Sequence, residues 1–186
     1  LSTAGNDQRS PEIISDGAGG AIVVWPSIQS GFDYDIYARR VNSAGTPQWA
    51  ANGVALCTAI NDQYYQLLAP DGSGGAIITW VDYRGGGSDI YARRIDASGT
   101  PQWTADGVGI STAPGNQTFP AIVSDGSGGA IIAWQDPLTG TNDIYAQRIN
   151  GAGSPQWYPG GEIISMATNS QGLPAIASDG AGGAII

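Results

Sequence analysis

SDGSGGAIIAW at 124–134, followed by DIYAQRINGAGSPQW at 143–157, is the stretch from which this chain is built. The same text stands upstream as PDGSGGAIITW at 70–80 and DIYARRIDASGTPQW at 89–103. It occurs once more as SDGAGGAIVVW at 15–25 and DIYARRVNSAGTPQW at 35–49, and a further copy opens as SDGAGGAII at 178–186. Trp49, Trp103 and Trp157 lie 54 residues apart, as do Asp35, Asp89 and Asp143. The step from Asp16 to Asp71 is 55, because the first copy carries one extra residue before Asp35. A fixed period near 50 signals a repeat architecture, in which each unit buries its apolar faces against its neighbours. The period divides the chain into repeats at 1–56, 57–110 and 111–164, with a partial fourth at 165–186.

Within one period the residues predict four strands, at 120–124, 130–135, 143–150 and from about 156 through 161 to 165. Asp125-Gly126-Ser127-Gly128-Gly129 separates the first two, and Asn150-Gly151-Ala152-Gly153-Ser154-Pro155 the last two. Both are turn chemistry, rich in residues that accept positive φ or fix it. No segment sustains the 3.6-residue apolar period of a helix, so the chain reads as all-β. AIIAW is apolar at consecutive positions, so both faces of that strand must be covered. DIYAQRI alternates more, with Ile144, Ala146 and Arg148 on one side and Tyr145 and Gln147 on the other. A four-stranded antiparallel meander covered on both faces at its inner strands is what a β-propeller blade requires.

The packing bodies of such blades are Trp25, Trp80 and Trp134, with Trp49, Trp103 and Trp157 near the fourth strand and Tyr37, Tyr91 and Tyr145 on the third. Each tryptophan can bury ~150–250 Å², worth ~4–6 kcal/mol gross before entropy is subtracted. The combination DG-x-GG-AII-x-W, DIYA-[RQ]-R and G-[TS]-PQW resembles the tandem repeats of secreted bacterial proteins of β-propeller type. The resemblance covers almost the whole chain, and it implies a propeller-like array of four-stranded blades. Propellers host many unrelated functions, so it implies little about activity. The SDGSGG turn is also similar to the Asp-box of sialidase-type blades, but the nine residues from Asp125 to Trp134 exceed that motif's spacing, and no sialidase residue carries over. Three full units and a fragment do not close a ring, since propellers typically have about four to eight blades. The expectation is either a portion of a longer array, consistent with a start at Leu1 without Met or signal peptide, or open edges that meet other subunits.

Composition narrows the function. The formal charge is −9, histidine is absent, and all seven cationic side chains are arginines. Nucleic acid and anionic membrane surfaces both demand clustered cations, so neither is an expected partner. No apolar run approaches the ~20 residues that span a bilayer. Cys57 is the one cysteine and occupies the place of Ser2, Ser111 and Ser165, which predicts a small side chain at a strand end. Zinc sites, Ser–His triads and Schiff-base chemistry lack their parts here. A glycoside-hydrolase pair needs two distinct carboxylates, and the repeated set singles none out.

Asp35, Asp89 and Asp143, with Arg40, Arg94 and Arg148, recur in every full unit, which predicts structure: an aspartate capping loop backbone and an arginine covering a neighbouring unit or pairing with an acid. Asp16, Asp71, Asp125 and Asp179 open the glycine-rich turns. Calcium is the one metal they suggest, against turn formation, which accounts for Asp-Gly alone. No other cofactor is implied.

A meander puts alternate connections at opposite ends, so the two repeated turns share one face. The varying loops at 26–34, 81–88, 136–142, 4–10, 60–66, 114–119 and 169–173 share the other. That face carries the candidate ligand-binding residues Phe32, Tyr34, Tyr64, Tyr65, Tyr83, Arg84 and Phe119, with Asp33, Asp62, Asp82, Asp136 and Arg9. Aromatics beside carboxylates and arginine suit sugars or protein surfaces. Asn116-Gln117-Thr118 is a glycosylation sequon on the same face. The leading expectation is a non-enzymatic extracellular or cell-surface structural repeat, self-assembling through open sheet ends into a fibre, surface layer or adhesive stalk. The alternative is a lectin-like module that binds glycans or proteins with the variable face.

Overall fold

The computed structural model describes residues 2–5, 7–29 and 31–186. Leu1, Asn6 and Ser30 lie outside the described residues, so the loops at 4–10 and 26–34 are described around Asn6 and Ser30. No helix occurs among the described residues. The first sheet comprises β1 (Glu12–Ser15), β2 (Ala21–Ser27), β3 (Asp35–Val41) and β4 (Val54–Cys57). The second comprises β5 (Gln63–Pro70), β6 (Ala76–Asp82), β7 (Asp89–Ile95) and β8 (Val108–Ser111). The third comprises β9 (Thr118–Ser124), β10 (Ala130–Asp136), β11 (Asp143–Ile149) and β12 (Glu162–Ser165). A short pair, β13 (Ala177–Ser178) with β14 (Ala184–Ile185), follows. Each sheet is an antiparallel meander in chain order, and none closes on itself.

The register repeats from unit to unit. Trp25 pairs with Tyr37, Trp80 with Tyr91 and Trp134 with Tyr145. Both later pairs stack, with ring centroids 6.5 and 6.3 Å apart. Strands apolar at consecutive positions are covered on both sides. Ala76, Ile78 and Trp80 of β6 join a core with Ile22, Val24, Ile36 and Leu56 of the first sheet. Ile77 and Val81 of the same strand join a second core with Ile132 and Trp134 of the third. One strand thus serves two interfaces, which explains why its residues show no wet face. Trp80 and Trp134 are fully buried, and Trp25 nearly so. Consecutive first strands adjoin: β5 lies against both β1 and β9, and β13 against β9.

The fourth strand is shorter than the sequence suggests. Residues 156–161 form a turn, and only Glu162–Ser165 pair with β11. In every full unit a turn closes just ahead of this strand: the N–H of Gly53, Gly107 and Gly161 donates to Ala50, Thr104 and Tyr158 O, with the glycines at φ +95°, +93° and +99°. In the first two units the preceding Trp49 and Trp103 are left-handed too, at φ +63° and +65°. Their rings fold back over Gly99 and Gly153 of the following unit. The ring of Trp80 is roofed by Gly107 of its own sheet, at φ +93°, where a Cβ would stand 2.6 Å from the indole. Trp134 and Gly161 repeat the arrangement. Gly107→Ala should therefore destabilise by about 2–5 kcal/mol, combining left-handed strain with overpacking. Gly126→Ala, at φ +70° in open space, should cost only the strain of about 1–2 kcal/mol. Guanidinium unfolding of both variants measures the difference; equal losses would remove the Trp–Gly contact as a determinant of the unit.

Candidate functional site

The repeated carboxylates are committed to structure. Asp125 Oδ1 accepts from the backbone N–H of Ser127 and of Gly129, both at 2.8 Å, and Oδ2 accepts from Arg148 Nε at 3.0 Å. Asp16 with Arg40 and Asp71 with Arg94 repeat the set, and Asp179 makes the two turn bonds. Both oxygens of Asp16, Asp71 and Asp125 are thereby engaged, and an arginine already supplies the positive charge. The arginines also reach the next unit: Arg40 Nη1 donates to Ala97 O and Arg94 Nη1 to Gly151 O, both at 3.3 Å. Each carbonyl receives the preceding unit's indole as well, from Trp49 at 3.3 Å and Trp103 at 3.1 Å.

In the second and third units the loop backbone is capped by Asp82 and Asp136, not by the Asp89 and Asp143 that the sequence suggests. Asp82 Oδ1 accepts from Arg84 N and Asp136 Oδ1 from Leu138 N, each at 3.0 Å. Their Oδ2 atoms accept the buried indoles of Trp80 and Trp134. Asp143, opposite Asp136 in register, takes the Thr139 hydroxyl instead. In the second and third units the W-x-D spacing places one carboxylate between indole and loop; the first unit has Trp25-Pro26-Ser27 there, and the Trp25 indole N–H is left without a partner.

On the variable face the aromatics form a continuous run. Tyr64 lies 5.3 Å from Tyr34, 6.2 Å from Tyr83 and 6.4 Å from Tyr65, centroid to centroid. Tyr65 in turn lies 6.4 Å from Phe119 across the junction between the second and third sheets. Tyr34 is buried, with its hydroxyl donating to Asp7 at 3.0 Å and the Arg9 guanidinium 4.9 Å over its ring. Burial, then the Asp7 bond, raises the Tyr34 phenol above its usual value. Arg84 is spoken for: it pairs with Asp82 at 2.6 Å, donates to Asp106 O at 2.6 Å and covers the Tyr91 ring at 3.9 Å. Phe32 stands apart, 97% exposed. A groove of about 550 Å³ opens beside Tyr64, Tyr65 and Phe119, lined also by Arg9, Gln66 and Leu173. Among the described residues no cluster of acidic or cysteine side chains is arranged to hold a metal ion, nor is any helix long and apolar enough to cross a membrane.

Two sets of residues escape a reading by motif. Gln8, Gln63, Gln117 and Gln171 each stand eight positions before a turn aspartate, and each donates from Nε2 to the carbonyl four residues back. The backbone N–H groups of the last three donate to Tyr34, Ser88 and Asn142 of the preceding unit, at 2.7–2.8 Å. This spacing is visible in the sequence once units are aligned on the turn. Ser10, Tyr65, Phe119 and Leu173, six before each aspartate, all adopt positive φ of 36–56°. Their identities differ and none is glycine, so no residue type announces them.

No protein-family model matches the chain, and a search of curated proteins finds no similar one.

Two outcomes follow from the titratable groups. The Ala18 N–H, with Arg40 and Gly20, holds Asp16 below the usual carboxylate range against its burial. Burial pushes Asp125 up, but the Ser127 and Gly129 N–H groups and Arg148 outweigh it and leave it lowered. Groups depressed in the folded state stabilise above the unfolded value of about 3.9 and lose that contribution as pH falls through the folded value. Urea midpoints should therefore drop from pH 5 toward pH 2, and Asp125→Asn should lower the neutral-pH midpoint while flattening the acid limb; Asp89, raised by burial and Asp82, works in the opposite direction and blunts the slope. Burial likewise pushes the Cys57 thiol up to about 12. It is fully buried at the end of β4, so at pH 8 it should react with a disulfide reagent only on unfolding, read as thiolate release against denaturant.

Proposed function

We propose that the chain is a non-enzymatic, extracellular structural repeat module of β-propeller type, similar to the tandem repeats of secreted bacterial proteins. Its units add through their sheet faces and assemble into a fibre, surface layer or adhesive stalk, with further repeats or other copies as partners. One observation carries this reading: the same junction is made each time two full units meet. An indole and a guanidinium from one unit converge on a single turn carbonyl of the next. At the opposite end, a glutamine N–H of the later unit bonds a loop carbonyl of the earlier one. The adjoining of first strands and the sharing of β6 between two cores support a radial arrangement of blades. Ile163 and Ile164 on β12 and Ile185 on β14 are exposed apolar side chains that a neighbouring sheet would cover. The non-enzymatic reading rests on the engagement of the repeated carboxylates by turn amides and arginine.

A second reading, a lectin-like binding module, is favoured by the run of aromatics from Tyr34 to Phe119 on the variable face.

Light scattering and electron microscopy across a concentration series test the structural reading. Growing end-to-end assemblies are expected, weakened by Ile163→Asp. A particle that stays a compact monomer at every concentration overturns it.

A further inference from the structure

At one place in each unit the backbone adopts a conformation that its side chain disfavours. Ser10, Tyr65, Phe119 and Leu173 occupy equivalent positions, all left-handed, and the last three are bulky and 63%, 43% and 72% exposed. Large side chains rarely accept positive φ, and glycine would hold the same backbone without strain. In β5 and β9 the position coincides with a bulge: the register slips by one between Tyr64 and Leu67, and again opposite Ala133 and Gln135. Bulges re-aim side chains, and strain of this kind concentrates at ligand sites. All four residues line the one groove of about 550 Å³, where β1, β5 and β9 adjoin. Its volume lies within the range of small-molecule sites, about 300–1,000 Å³.

From this we infer that the groove is a saccharide-binding site, in which the rings of Tyr65 and Phe119 take the apolar face of a neutral sugar ring and Gln66 and Arg9 meet its hydroxyls. The inference rests on the lectin-like reading and gives it a place. The chemistry of the lining selects the ligand class. Water-exposed aromatic faces flanked by polar groups suit a ligand that is apolar on one surface and hydroxylated at its rim. Arg9 and Glu12 are the charged residues of the lining, and Arg9 is already paired with Asp7 at 2.5 Å, so the groove offers an anionic ligand no uncompensated cation. With a chain charge of −9 around it, an anionic sugar would be repelled. Gln66 is buried, donates to Ser10 O at 2.6 Å and keeps its Oε1 without a protein partner. A side chain tied at one end to the neighbouring bulge and unsatisfied at the other is placed to change partners when a hydroxyl arrives.

The test is an array of neutral and acidic saccharides, with calorimetry of any neutral hit against Tyr65→Gly, Phe119→Gly and Phe32→Ala. Glycine removes the ring and relaxes the backbone, so both glycine variants should keep or raise the melting temperature while weakening binding by about tenfold or more. Phe32→Ala, outside the groove, should change nothing. A neutral hit untouched by the glycine substitutions would overturn the site while leaving the lectin-like reading standing. Binding of peptides or acidic glycans alone would overturn the ligand class. A blank array, with glycine variants that melt well below the parent, would overturn both and make the rings structural.

Discussion

The burial of each inner strand on both of its faces is the constraint from which the rest of the structure follows. β6 gives Ala76, Ile78 and Trp80 to one core and Ile77 and Val81 to the next, so neither core exists without a second sheet. An isolated four-stranded unit would leave one of these faces in water, at ~25 cal/mol for each Å² of apolar surface. Stability is thus a property of neighbours, as expected of arrays in which each unit touches only the adjacent ones. The indole roofed by glycine leaves no room for a Cβ, and the buried Trp80–Asp82 bond fixes its rotamer.

Around that core the polar network does two jobs with one small set of groups. The turn aspartate satisfies two backbone N–H groups that would otherwise be left without a partner, and its second oxygen anchors an arginine. The arginine, so held, has a fixed reach to the adjoining unit's carbonyl. A guanidinium suits this role better than an ammonium, because its planar fork serves carboxylate and carbonyl together. The exclusive use of arginine for cations fits a surface where positive charge is structural.

Much of this was legible in the chain. The two-faced strands, the Asp-Gly turns and the packing tryptophans follow from consecutive apolar positions and turn chemistry, each repeated. A structural arginine was readable too, since a cation copied into every full unit has no reason to be catalytic; the sequence offered pairing with an acid or covering a neighbour as alternatives, and Arg40 and Arg94 do both. Pro-Gln-Trp reads as extended, so the sequence overruns the fourth strand; a turn closed by Gly53, Gly107 or Gly161 intervenes in each full unit. D-I-Y-A is the louder motif and points to Asp143 as the cap, whereas Asp136, across the hairpin, meets both the Trp134 indole and the Leu138 N–H. On the variable face the sequence singles out Tyr64, Tyr65 and Phe119 as ligand-binding residues, and places Ser10, Gln66 and Leu173 there only as the ends of varying loops. Left-handed backbone imposed by a bulge leaves no trace in residue type when its occupant is not glycine.

The junction between units has a direction, because indole and guanidinium leave one side and the accepting carbonyl stands on the other. Such contacts are heterologous: a surface of this kind meets its complement, never itself, so two-fold pairing through it is forbidden. Repeating it can generate only rotation, which ends in a closed circle if the angle divides a full turn and in a spiral with distinct leading and trailing tips if it does not. Any structure grown this way would be polar along its length, and its two tips would differ in the rate at which they accept new material.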